Sequence, residues 1–410
     1  MFKSFSESVL FDEKYNEVIV EKIFTQTSRE KTSASMKSIG IITIHKINNY
    51  GSVLQAYALQ HVCETLGYRT EIIDYNFPNA KHRNNTYAAV GNVQSVKEPK
   101  RIKYMFSSAL MRQHKSIASF VHKYLHLSSC TYNSPEELES MPPHYDVYIT
   151  GSDQLWSPRY CNGDPAFMLH FAPDSALKIS YAASIGSKSI PEELHPLYKE
   201  LLGRYRHIGV RESSGVEIVR DVVGKHAKMV LDPTLLLNKD EWNRVASPRR
   251  QVKKKYILCY FLNYSFNAFP YVDELAAHMQ QQTGYEIVRV ARPPHKLKFK
   301  HVRYKVGASP EEFLALVRDA EMVLTTSFHG TAFAVNYGKP VLTIVQDRNA
   351  SDSRQVSLMS SLGLESQVLS VMDPFPHKEC SVYDVENEQR QLEILRQESR
   401  KYLIDALRDE

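Results

Sequence analysis

A chain of 410 residues has room for two domains with full cores, and its 43% hydrophobic and 24% charged content is that of an ordinary globular protein. Lys and Arg number 51 against 46 Asp and Glu, a net charge of +5 that is too mild for a nucleic-acid surface, and there is no RNA-binding signature, zinc-finger spacing or basic tail. The five scattered cysteines form no CxxC pair, which argues against a disulfide framework and a thiolate metal site; no apolar run is long enough to span a bilayer, so the expected location is the cytoplasm.

Residues 1–35 are polar and weakly patterned, and are expected to be a disordered or peripheral extension. An apolar run over 39–44 then reads as a buried strand. A helix over 52–66, closed by Gly67, leads to a second strand over 71–75, a βαβ unit of the length a parallel crossover needs. The basic amphipathic stretch 97–127 has two readings: a packed helix with solvated Lys and Arg, or a peripheral contact through 97–126 with the inner face of a membrane.

Strands over 146–150, 179–183, 208–211 and 229–233 follow, separated by helices over 192–205 and 213–223. The basic, Pro-bearing segment 248–255 reads as a linker. Beyond it come strands over 256–262, 285–290, 322–326 and 341–345 with helices over 270–282, 310–319 and 330–337 between them, and a final polar helix over 384–408 that folds back across the chain. The fold class expected is α/β, with two Rossmann-like domains facing a cleft, over 36–247 and 256–375.

The residues with chemistry fall at strand ends. After the strand 322–326 come Ser327, Phe328, His329 and Gly330, opening a helix whose free N–H groups and dipole suit an anion such as a phosphate, with His329 placed to move a proton or hold charge. A cap or a packed histidine is the plainer reading. After the first strand, Asn49, Tyr50 and Gly51 open a helix: Gly51 permits close backbone approach and Gln55 lies one turn on. Ser152, Asp153, Gln154 and Trp156 combine an acid, an amide and an indole that suit hydrogen bonds to sugar hydroxyls and ring stacking. Arg211 heads a helix, where a guanidinium captures carboxylate or phosphate. Arg348 and Arg354 lie past the last strand, interleaved with Asp347 and Asp352, as a second cationic source or as a self-neutralised surface loop. HExxH, the Walker loop and the Gly-x-Ser-x-Gly elbow are absent, and no metal or cofactor is expected.

Taken in order, Asn49–Leu59, Gly151–Trp156, Ser180–Ser184, Val210–Gly215, Asp232–Thr234 and Ser327–Gly330 resemble the polysaccharide pyruvyl transferase family. The resemblance implies a GT-B-like fold with the acceptor on the N-terminal domain and the donor on the C-terminal one. It implies transfer of a pyruvyl group from phosphoenolpyruvate to two hydroxyls of a sugar or lipid-linked oligosaccharide, with Arg211 and His329 holding the donor. Two positions depart from the family: Ser327 stands where an arginine is common, a guanidinium that Arg348 or Arg354 could replace, and Ser52 stands where an aspartate is common. Such a reaction needs a general acid, cationic neutralisation of a carboxylate and a phosphate, and a base. The expected roles are acid or clamp for His329, donor anion for Arg211, and acceptor orientation or base for Asp153. A GT-B glycosyltransferase using a nucleotide sugar is the alternative, and a non-catalytic sugar-binding protein the third.

Overall fold

The computed structural model describes residues 36–77, 108–262, 266–291, 302–350, 353–377 and 383–409. The extension 1–35 and the basic residues 97–107 lie outside them.

Two parallel sheets result. Strands β1 (Ser38–Ile42), β2 (Arg69–Tyr75), β3 (Leu127–Tyr132), β4 (Val147–Thr150), β5 (Leu177–Ala183), β6 (His207–Val210) and β7 (Lys228–Met229) assemble in the order β3-β2-β1-β4-β5-β6-β7. The second sheet comprises β8 (Tyr256–Tyr260), β9 (Glu286–Ala291), β10 (Val302–Val306), β11 (Met322–Thr325), β12 (Val341–Val345) and β13 (Val368–Ser370), in the order β10-β9-β8-β11-β12-β13. The fold is α/β, Rossmann-like in both halves and GT-B-like. In each sheet the winding reverses once, between β1 and β4 and between β8 and β11, and the crevice at such a reversal is where open α/β sheets bind ligands.

The central strands β1, β4, β8, β11 and β12 are buried on both faces, as helices on each side of a parallel sheet require. The strands absent from the sequence reading, β3, β10 and β13, are all edges. β3 (LSSCTY) and β10 (VRYKV) are largely polar or half exposed, so little apolar signal marks them. The single helix expected over 213–223 is a short α-helix, Ser213–Ile218, running into a wide turn over Val219–Val223.

Contacts among the described residues join the halves at several places. The Tyr50 ring, at the start of the helix Tyr50–Thr65, stacks on Phe313 at 4.8 Å and donates its hydroxyl to Ala308 O at 2.9 Å. Asn336, ending the helix Phe328–Asn336, donates to Thr234 O and Leu237 O, both at 2.8 Å. The last helix, Val385–Arg408, spans both sheets: Gln389 donates to Val335 O at 2.7 Å, and Tyr402 to Ser180 O at 3.0 Å.

The described part of the amphipathic stretch, Ser108–Tyr124, turns its apolar face inward. Ile117, Phe120 and Val121 are buried, and Arg112 donates to Gly307 O of the other half. That face is therefore taken by protein. No helix among the described residues is long and apolar enough to cross a membrane.

Candidate active site

The strand ends at the two reversals and their neighbours deliver polar groups to one place, and Asp232 stands at its centre. The sequence Asp-Pro-Thr starts a short helix: Asp232 is the N-cap, its Oδ1 accepts from the Thr234 N–H at 3.0 Å and hydroxyl at 2.7 Å, and Pro233 sits where no donor is needed. Oδ2 is thereby left for the site. It accepts from Ser152 Oγ at 2.7 Å and from Arg211 Nη1 at 2.9 Å, and lies 3.7 Å from His329 Nε2, an ion-pair distance too long for a hydrogen bond. Burial alone would raise this carboxyl's pKa, but His329, Arg211 and Thr234 more than reverse it and hold the group far below the carboxylate range. Asp232 is ionised.

Arg211 uses only part of its fork. Its Nη1 serves Asp232 and touches Ser152 Oγ at 3.3 Å, whereas Nε and Nη2 are buried with no acceptor, Nη2 standing 4.0 Å from Asp153. The guanidinium lies over the Phe328 ring, 4.4 Å from its centroid. A second guanidinium, Arg354, lies 6.0 Å from the same centroid. It opens the helix Arg354–Ser361, which Ser353 caps and which Gln355 ties to Thr326 O at 3.1 Å. Burial and then the Arg211 charge lower the Arg354 pKa, while Glu212 and Asp153 oppose them. An anion held between two cations that disfavour each other would relieve their repulsion.

Arg348 is not in this group. It pairs with Asp373 at 3.3 Å on a half-exposed surface, because the residues after β12 carry it outward before Ser353 starts the next helix. Of the two candidate replacements for the guanidinium absent at Ser327, the fold brings Arg354 alone to the site.

His329 enters from the other half. Its ring packs on Gly51, where an added Cβ would collide with Nδ1, and its Nε2 has no hydrogen-bond partner. The close approach expected at Gly51 is thus made by His329. The expectation for the helix N-terminus changes as well: Ser327 Oγ accepts the Gly330 N–H at 3.3 Å, so the chain caps part of the donor set expected for an anion. Gly330 itself is required by packing, since a Cβ there would strike Thr325.

Asp153 is held in a left-handed backbone conformation, φ +88°, which costs an L-residue roughly 1–3 kcal/mol and persists only where the surroundings over-determine it. Its carbonyl accepts from Ser184 N at 3.0 Å, and its carboxylate from Ser52 Oγ at 2.7 Å and Gln154 N at 2.8 Å. Ser52 therefore supplies a neutral donor where an aspartate would oppose this carboxylate.

The remaining acceptor candidates are taken up by burial or by capping. Trp156 is wholly buried, its indole N–H donating to Phe167 O at 3.0 Å, and no face is left for a sugar. Gln55 is equally buried, spending its amide N–H on Thr43 and Ser52. Tyr50 packs between the halves, Asn49 caps its helix through the Gly51 N–H, and the buried Gln154 lies against Gly186, where a Cβ would meet its amide. These five build the scaffold; Gly51, Ser152 and Asp153 reach the site.

The sequence matches the model of the polysaccharide pyruvyl transferase family over residues 49–348. The chain belongs to the polysaccharide pyruvyl transferase family. No curated protein matches it. Among solved structures, similar chains include one described as a UDP-N-acetylglucosamine 2-epimerase from Listeria monocytogenes, with 9% identity, 89% of this chain and 91% of that one covered, and a TM-score of 0.49. The spinosyn forosaminyltransferase SpnP shows 11% identity over 90% and 96% of the two chains, TM-score 0.42. The UDP-GlcNAc 2-epimerase of Neisseria meningitidis shows 9% identity over 91% and 99%, TM-score 0.44. Nothing of their chemistry follows for this pyruvyl transferase family member. Arg354 lies beyond the matched segment, and Asp232 and Glu212, which residue chemistry alone did not single out, lie within it. Glu212 is fully buried; its Oε1 accepts from the N–H groups of Ile185 at 2.7 Å and Gly186 at 2.9 Å, and its Oε2 has no partner.

Proposed function

We propose that this enzyme transfers a pyruvyl group from phosphoenolpyruvate to two hydroxyls of a sugar in a cell-surface polysaccharide or its lipid-linked precursor, in the cytoplasm, forming a pyruvate ketal. The observation that carries the reading is the pair of guanidinia over Phe328, one with two unused N–H-bearing nitrogens, beside a histidine whose Nε2 has no partner. A compact donor bearing a carboxylate and a phosphate needs that combination.

In this scheme His329 delivers a proton to the methylene carbon of the enol phosphate, with ionised Asp232 as the counter-charge of the protonated ring. The first sugar hydroxyl adds to the resulting cationic carbon and gives its proton to a base, for which Asp153 is the candidate. The bond from that carbon to the phosphate oxygen then breaks, Arg211 and Arg354 take up the leaving group's charge, and the second hydroxyl adds and loses its proton to close the ketal. One phosphate is released per ketal.

The test is to supply phosphoenolpyruvate and, separately, nucleotide sugars with saccharide acceptors. Phosphate released in step with a pyruvylated product is expected. Nucleotide release would instead establish the glycosyltransferase reading, and acceptor binding without either would leave a sugar-binding protein.

A further inference from the structure

The two ends of the crevice between the halves differ in whether anything can pass. At the β1 end the Tyr50 ring is stacked on Phe313, with Tyr260 tilted against both, and Gln113 Nε2 donates to the Tyr50 hydroxyl at 3.1 Å. Tyr50, Tyr260, Phe313 and Gln113 are all buried, so this end is closed. At the β7 end the surface sinks into a depression with about 40 Å³ of free space. Its floor includes Arg211, Asp232 and Phe328; Met229 forms one wall, Ser357 and Ser361 of the Arg354 helix another, and Glu398 of the last helix a third.

Arg211 joins the two observations. Its side chain is only 1% exposed, it lines the depression, and its Nε and Nη2 have no acceptor. A buried guanidinium left partly unpaired costs free energy until an anion reaches it. The wall opposite β7 belongs to the helix that begins at Arg354, so one element supplies both the second cation and a side of the passage.

We infer that the depression between β7, the Arg354 helix and the last helix is the port through which a small carboxylate- or phosphate-bearing anion reaches Arg211 and leaves again. This rests on the reading of the site as a donor pocket, and adds the direction of traffic. Glu398, exposed at the mouth, opposes the arriving charge. The port admits small anions past a repelling acid to the Arg211 guanidinium at its base.

The probes are inorganic phosphate and phosphoenolpyruvate, with exchange rates measured by phosphorus NMR on the full chain. Ser361→Trp and Met229→Trp, two independent ways of filling the mouth, are expected to slow association and dissociation together by about tenfold while Kd changes less than about threefold, since a gate alters passage and not the bound state. Tyr50→Phe, at the closed end, leaves both rates as they are. Glu398→Lys raises the association rate about 3–10-fold at low salt, a gain that fades as salt is added. Wild-type binding with rates unchanged in both Trp variants, or not raised by Glu398→Lys, overturns the port and leaves the donor pocket standing. Failure of the wild-type protein to bind either anion overturns the donor pocket itself.

Discussion

Two of the places where the halves meet do so by opposite means. At the Tyr50 end the tyrosine and the glutamine beside it are paired: the hydroxyl gives to Ala308 O and accepts from Gln113, whose Oε1 accepts from Asn48 at 3.1 Å, and the ring is stacked. At the Arg211 end the halves meet through charge, and Arg211 Nε and Nη2, His329 Nε2 and Glu212 Oε2 are buried without partners. Few buried polar groups in native proteins go unpaired, and a cluster of them calls for an explanation, a bound group being one. In the proposed reading, that difference separates the end that holds the molecule together from the end that acts.

Asp232 belongs to both roles, so its removal should have the largest effect. Asp232→Ala leaves the Arg211 charge buried without its partner, and about 3–5 kcal/mol of stability is expected to go, read by denaturant unfolding, together with activity. A loss below about 1 kcal/mol would mean the ion pair is not buried as described.

The guanidinia come next. Arg211→Ala and Arg354→Ala should each cost about 2–4 kcal/mol in kcat/KM for phosphoenolpyruvate, roughly 30-fold to 1000-fold, whereas Arg348→Ala should change it less than about twofold. Lysine at 354 cannot reproduce the planar fork and should rescue only in part. Equal effects at 348 and 354 would dissolve the distinction between them.

An orphaned group remote from the crevice sharpens the contrast. Glu388, on the last helix, is 1% exposed with both carboxylate oxygens unpartnered, and burial raises its pKa from the ordinary 4.5 to about 7. Between pH 4.5 and 7 the folded form keeps a proton that the unfolded chain has released, so its contribution to stability grows as pH falls through that window and is lost as pH rises through 7. Glu388→Gln should therefore stabilise the protein by about 1–3 kcal/mol at pH 8, a gain that shrinks toward pH 4.5, with activity unchanged. Thermal unfolding across pH checks it; a pH-independent difference would contradict it.

The smallest effect is expected at the Tyr50 end. Tyr50→Phe keeps the stack and loses a hydroxyl, leaving Ala308 O and Gln113 short of one partner, for about 1–2 kcal/mol of stability and little change in turnover per folded molecule.

How much of this was legible in the sequence follows the same division. Buried strands such as Ile39–Ile42 and Met322–Thr325 announce themselves by apolar runs, and His329 and Arg211 by polar residues just past them. The edge strands β3 and β10 do not, because a strand with one partner can be polar on its free side. Trp156 and Gln55 were misread because chemistry at a strand end looks the same whether the side chain turns to the crevice or to the core; only packing decides. Asp232 carried a signal, but of a helix start, since Asp-Pro is as good a cap as it is a ligand. The choice between Arg348 and Arg354 depended on where the chain turns after β12, which loop residues do not encode by period.

The central claim is that the Arg211 end handles phosphoenolpyruvate while the Tyr50 end only holds the halves together. It is tested most directly by phosphate release from phosphoenolpyruvate in the presence of acceptor, measured side by side for the wild-type enzyme, His329→Ala and Tyr50→Phe, with folding checked by circular dichroism. The account predicts a fall of roughly 100-fold to 1000-fold for His329→Ala in a folded protein and near-normal turnover for Tyr50→Phe. Near-normal turnover by His329→Ala would contradict it.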